Sequence, residues 1–233
     1  MDRHKIKRCK AWAFGPPGPR EILFRSPVRF LLPTLFLGAA AIILVVSTFL
    51  PYWHMELDAP QYPRGLDLTV YVDHVEGDVG EVDGLNHYIG MRPLSEAGEL
   101  ERSMSVIAIV VVAGLVFSSV FVHSPCALIL SWPAIAYPGI FLLDLWFWMR
   151  KFGHDLDPLA PLSNIIESFT PPIIGHGEIA QFKTNAIWEE GLLLAFAASI
   201  CVVIGIILHR RAYKPLREEV LRALEAEPAG ADG

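Results

Sequence analysis

Four long apolar runs limit what this chain can fold into more than any other feature. The first, FLLPTLFLGAAAIILVVSTFL (30–50), carries no charge, and neither does the second, SVIAIVVVAGLVFSSVFV (105–122). The third, CALILSWPAIAYPGIFLLDLWFWM (126–149), contains one acid, Asp144, and the fourth, GLLLAFAASICVVIGIILH (191–209), contains none. Roughly 20 residues at the helical rise match a hydrocarbon core about 30 Å thick. Inside lipid every backbone polar group needs an internal partner, so such runs fold as helices. With 53% hydrophobic residues and a mean hydropathy of +0.41, the chain reads as an all-α membrane protein crossing four times. The spans are set at 30–50, 104–123, 126–149 and 191–209.

The basic residues set the expected orientation, because Lys and Arg accumulate on the cytoplasmic side. Arg3, Lys5, Lys7, Arg8, Lys10, Arg20, Arg25 and Arg29 precede the first run, against Asp2 and Glu21. Arg210, Arg211 and Lys214 follow the last. Segment 51–103 holds three arginines, Arg64, Arg92 and Arg102, against eleven acids. Four crossings with both termini inside satisfy this bias, and Arg150-Lys151 pulls weakly against it. The arm 1–29 and the tail 210–233 are then cytosolic, while loops 51–103 and 150–190 are extracytoplasmic. Tyr52, Trp53, Trp146, Trp148 and Trp188 fall at the outer boundary, where amphipathic rings favour the headgroup level. The first run is too long for a signal-peptide core and is followed by PYW, so it reads as an anchor.

Cys9, Cys126 and Cys201 all lie outside the two loops, so no disulfide orders them. In LDLTVYV (66–72), Leu66, Leu68, Val70 and Val72 alternate with Asp67, Thr69 and Tyr71, which predicts a half-buried strand. APQYPRG before it reads as a turn, and VEGDVGEVDG after it as a glycine-rich return. A single strand is not stable alone. The second loop has apolar residues (Leu159, Leu162, Ile165, Ile166, Phe169, Ile173, Ile174, Ile179, Phe182) but Pro158, Pro161, Pro171 and Pro172 make it read as irregular. The two loops are therefore expected to pack together as a small mixed β/loop cap. Pro215 opens a separate tail helix with a stripe of Leu216, Val220, Leu221 and Leu224. Asp144, deep in the third run, shares a face with Lys151, and an ion pair or a bond to loop backbone is expected.

Five of the eight histidines lie in the two loops: His54, His74, His87, His154 and His176. Three places combine donors. His54-Met55 follows the first span, His87 and Met91 sit in GLNHYIGM, and His154 lies in GHDLD. Imidazole with thioether suits Cu(I), which makes His87, Met91, His54, Met55 and His154 the candidate metal ligands. Each has a structural alternative: an interfacial turn for His54 and Met55, a core turn for His87, and a helix C-cap for His154. His74 and His176 stand beside acids and glycines and are expected to be exposed. The layouts of nucleophile elbows, phosphate loops and zincins are missing, so no catalytic residue is named. An outer-face metal-dependent enzyme using Asp73, Asp78 or His87 is the weakest reading. Nothing in the chain points to nucleic acid.

Taken together, LDAPQYPRGL, VEGDV, GLNHYIGM, GHDLDP and FTPPIIGHGEIAQF resemble uncharacterised bacterial four-helix membrane proteins. Those are associated with genes for copper-dependent respiration, notably nitrous oxide reductase maturation. The resemblance covers roughly 51–182 and implies an inner-membrane setting with a redox partner, without supplying a catalytic residue. The expected function is a non-enzymatic inner-membrane protein whose cap handles copper or assists assembly of a redox enzyme. The alternative is an accessory subunit of an electron-transfer or photosynthetic complex.

Overall fold

The computed structural model describes residues 12–14, 27–163, 168–179 and 182–226. The basic residues Arg3 to Arg25, Cys9, and Ile165 and Ile166 lie outside the described residues. In chain order the elements are α1 (Pro27–Ser47), β1 (Trp53–Ala59), β2 (Tyr62–Val70), β3 (Val75–Gly77) and α2 (Val79–Ile89). They are followed by α3 (Glu99–Ser119), α4 (Cys126–His154), β4 (Gly175–Ile179), β5 (Phe182–Trp188) and α5 (Glu190–Ala226). Helices α1, α3, α4 and α5 are each long and apolar enough to cross a membrane. This is a helical membrane-like protein with a β region. It divides into two compact units: residues 1–44, 110–136 and 196–233 form one, and 45–109 and 137–195 the other.

The second unit carries an antiparallel sheet in the order β3-β2-β1-β5-β4. Its centre joins the two long loops directly, with β1 paired to β2 on one side and β5 on the other. Two loops expected to pack against each other thus share one hydrogen-bond ladder. Segment 182–188 is a regular strand because its prolines all lie earlier, leaving Phe182, Thr184 and Ala186 to alternate inward. Residues 53–59 also form a strand, where a turn was one expectation for His54 and Met55. Trp53, Met55, Leu57 and Ala59 are buried at every second position. The strand expected at 66–72 is β2, shifted to 62–70. Pro60-Gln61 makes the turn, and Pro63 enters β2 where the register with β1 shifts. A bulge is one of the few sheet positions that accommodates proline.

The apolar sheet face closes on a core of Trp53, Met55, Leu57, Leu66, Leu68, Phe182 and Ala186 with Val82 and Ile89 of α2. Leu145 and Met149 of α4, Leu162 and Phe169 pack around it. Trp53 is fully buried and donates its indole N–H to the Ile173 carbonyl at 2.8 Å. Of the glycine-rich return expected over 75–84, Val75–Gly77 is strand β3, paired antiparallel to β2, whereas the part from Val79 onward is helical and begins α2. Gly80 and Gly84 sit in open space on α2, while Val82, Asn86 and Ile89 form its buried face. The packed face outweighs about 1 kcal/mol lost at each glycine. Where α1 passes into β1, Tyr52 is buried. It shares hydrogen bonds with Ser47 (2.8 Å) and Tyr137 (3.1 Å). Burial pushes the Tyr52 phenol above its ordinary range, and those two bonds partly offset the rise.

At two of the helix-interior prolines, Pro138 in α4 and Pro215 in α5, the missing backbone donor is replaced by a side chain of another helix. Pro138 cannot bond the Ala134 carbonyl, which accepts from Ser199 Oγ at 2.9 Å. Pro215 cannot bond the Arg211 carbonyl, which accepts from Arg29 Nη2 at 2.7 Å. The tail helix expected to start at Pro215 is therefore the continuation of α5. Lys151 likewise does not pair with Asp144. Its ammonium lies 4.5 Å from the Trp148 ring centroid.

Candidate functional site

GLNHYIGM forms the end of α2 and its exit. Gly90 caps the helix at φ +88°, and both its N–H and that of Met91 bond the Asn86 carbonyl. That left-handed conformation is one glycine adopts at little cost. Close packing requires glycine as well, since a Cβ at this position would lie 2.8 Å from the Asp157 carbonyl oxygen. The segment after α4 therefore lies directly on Gly90. Asp157 N–H donates to the Gly90 carbonyl (2.8 Å), and Leu162 N–H donates to that of Tyr88 (3.1 Å). Arg92 adds a 2.9 Å ion pair with Asp155 and a looser one with Glu96. Asp83 Oδ1 accepts from Leu94 N–H at 2.7 Å, holding the chain as it leaves Met91.

Between these segments lies a half-open cleft of about 610 Å³. Its walls are His87, Gly90–Pro93 on one side and Asp155–Pro161 on the other. Asp157 Oδ1 is engaged by the Leu159 N–H at 2.9 Å, which shapes the turn at the rim. Leu159 is 90% exposed there, and Tyr88 is 58% exposed.

Of the five residues expected to bind metal, His87 and Met91 line this cleft together. His87 is exposed, while Met91 packs partly against the sheet core. His54 and Met55 are neighbours in a strand and project from opposite faces. Met55 is in the core, whereas His54 bonds Thr69 Oγ1 (3.1 Å) and lies 3.5 Å from an Asp67 oxygen. His154 ends α4 and donates Nδ1–H to the Arg150 carbonyl at 2.9 Å, the C-capping role foreseen for it. The five therefore do not converge. Among the described residues, no group of three or more His, Cys, Asp or Glu side chains could hold a metal ion. The pair His87 and Met91 offers at most an imidazole and a thioether, a soft, low-coordinate donor set.

The sheet face opposite the core is polar. It presents His54, Glu56 and Asp58 from β1, Asp67 and Thr69 from β2, and His176 and Glu178 from β4. His74 stacks on Tyr71 with ring centroids 4.4 Å apart and is held between Asp73 (2.6 Å) and Glu76 (3.4 Å). Glu189, just before α5, titrates above the usual carboxylate range. Burial is the main cause, and the adjoining Glu190 carboxyl adds to it.

Sequence reasoning centred on His87 and Met91 and passed over Gly90, Arg92, Asp155 and Asp157, which tie the two loops at this point. A glycine just after an apolar helical face in VGEVDGLNHYIG is the C-cap pattern that could have revealed Gly90. Reading that stretch as turns concealed it. Neither a protein-family model nor a curated protein matches this chain.

Proposed function

We propose that this is a non-enzymatic, multi-pass inner-membrane protein, with both termini cytoplasmic and the sheet unit outside. The sheet unit serves as a docking platform in the assembly of a redox enzyme. The observation that supports this reading is how the cleft's polar groups are used. Arg92 and Asp155 pair across the two loops, and Asp157 accepts from Leu159 N–H within its own loop. Leu159 stands exposed on the cleft wall, with Tyr88 exposed next to His87 on α2. Large exposed apolar side chains beside a cleft are features of association surfaces. The resemblance to proteins associated with copper-dependent respiration points to the same class of partner.

The test places a photo-crosslinking residue at Leu159 or Tyr88, and as a control at Glu56 on the polar sheet face, in cells respiring anaerobically with copper. Crosslinks to one redox protein from the first two positions and none from Glu56 are expected. Adducts of equal yield from all three positions, or none from any, would remove the docking reading. Persistence of the partner in the mature complex after mild-detergent purification would favour the accessory-subunit alternative over assembly.

A second reading, copper handling, is favoured only by the shared position of His87 and Met91. There an imidazole and a thioether would hold Cu(I), whose soft-ligand chemistry suits both. Metal analysis of protein purified anaerobically with copper, beside His87→Ala and Met91→Ala, decides it. Stoichiometric copper lost in both variants would support the site, and its absence from the parent protein would dismiss it.

A further inference from the structure

The unit formed by residues 1–44, 110–136 and 196–233 carries a cationic cluster that the docking reading leaves unused. Arg210, Arg211 and Lys214 share one exposed side of α5, at the i,i+3 and i,i+4 spacing that places side chains together. Arg29 of α1 is fastened beside them, because the Arg211 carbonyl freed by Pro215 accepts its Nη2 at 2.7 Å. A guanidinium has five N–H donors in a planar fork, so that bond leaves most of the group available. Lys214 is partly engaged by Glu218 at 3.8 Å. Among the described residues, no carboxylate lies within ion-pair distance of Arg29, Arg210 or Arg211.

An aromatic stack lies next to the cluster in sequence, centred on Tyr213. Tyr213 stacks on His123 (centroids 3.9 Å apart), lies 4.7 Å from the His209 ring, and meets Phe30 edge-on at 5.2 Å. The His123 backbone N–H donates to the Phe14 carbonyl at 2.7 Å, and Ser124 Oγ donates to that of Ala13. These bonds fix a short piece of the N-terminal arm whose rings remain outward, Trp12 at 62% and Phe14 at 60% exposure.

Depth along the helices identifies what these groups meet. Arg210 follows Glu190 by 20 residues in one continuous helix, about 30 Å at the helical rise, which is the hydrocarbon thickness. The arginines therefore fall at headgroup level, where exposed Trp and Phe rings also partition. Guanidinium forks match phosphate oxygens bidentately, and basic residues just outside a span attract anionic lipid. We propose that Arg29, Arg210 and Arg211, flanked by Trp12 and Phe14, form a binding site for the phosphodiester headgroup of an anionic phospholipid. Arg29 has two roles in it, closing the backbone at Pro215 and presenting its fork to the lipid.

The experiment uses the full chain in nanodiscs of phosphatidylcholine, alone or mixed with phosphatidylglycerol, followed by native mass spectrometry of retained lipid. Parent protein is expected to retain phosphatidylglycerol selectively. Each arginine removed in Arg210→Gln and Arg211→Gln should weaken retention about fivefold. Arg29→Lys keeps a donor for the Arg211 carbonyl while losing the fork, so its loss of retention with unchanged helicity separates binding from folding. Lys214→Gln removes a charge but no guanidinium fork, and should weaken retention less than either arginine change. Equal retention of both lipids, or an equal loss in Lys214→Gln, would reduce the cluster to diffuse surface charge and overturn the site. Displacement of the lipid by inorganic phosphate would reassign it to a free anion and overturn it equally.

Discussion

Replacing Gly90 by alanine tests whether the two loops are closed by backbone packing at the end of α2. Two costs arise together. An L-residue at φ +88° costs about 1–2 kcal/mol relative to glycine. The added Cβ would also stand 2.8 and 2.9 Å from Asp157 backbone atoms and 3.1 Å from Ala160 Cβ, so segment 155–163 must lift away. Lifting breaks the Asp157-to-Gly90 and Leu162-to-Tyr88 bonds, each worth about 1 kcal/mol net. The sum, about 3 kcal/mol, raises the population of the opened segment roughly a hundredfold. Hydrogen–deuterium exchange of peptides covering 155–163, in detergent, reads that opening directly. Gly84→Ala is the matched control. It lies on the same helix with nothing within 4 Å of an added Cβ, and should stabilise by about 0.5–1 kcal/mol. Exchange at the parent rate in Gly90→Ala, or equal acceleration in both variants, would refute the reasoning.

Three further outcomes follow from other parts of the structure. Met55→Ala should cost about 2–4 kcal/mol by emptying core volume, while His54→Ala on the opposite face should cost under about 1 kcal/mol. Comparable melting temperatures for the two would contradict the strand assignment. Ser199→Ala should cost about 1–3 kcal/mol, because the Ala134 carbonyl beside Pro138 loses its donor. Ser199→Thr should restore most of the thermal stability, and an unchanged melt in the alanine variant would show that the carbonyl is satisfied elsewhere. Burial lowers the His123 pKa, so below about 6.5 the unfolded chain takes up a proton that the folded chain resists. Stability from this group is full above that pH and declines as pH falls toward the folded-state value. In His123→Phe, which keeps a ring against Tyr213, the melting temperature should fall less between pH 7 and pH 5 than in the parent.

Particular residues show how far the sequence could be read. The burial of Leu66 and Leu68 in β2 follows from strict alternation, although their strand begins four residues earlier than the pattern places it and ends two earlier. The alternation Trp53, Met55, Leu57, Ala59 is equally regular, yet its position just after an apolar span made it look like an interfacial turn. Gly80 and Gly84 disguised α2 because glycine's intrinsic preference is visible locally, whereas the packed face that overrides it is not. His87 and Met91 were read as a pair from spacing alone. Their spacing does place both on one cleft, although Gly90 and Arg92 between them make the bonds to the second loop.

What the sequence determined by itself was the set of four helices long and apolar enough to cross a membrane, since that property depends on the composition of each contiguous run. The alternating face of β2 was legible for a similar reason, being a pattern of period two within one segment. Tertiary structure alone decided that β1 and β5 pair, that segment 155–163 rests on Gly90, and that Arg29 and Ser199 cap carbonyls freed by prolines. Each of these joins groups far apart in the chain. Their energy comes from desolvated hydrogen bonds and close packing that exist only once both partners are in place.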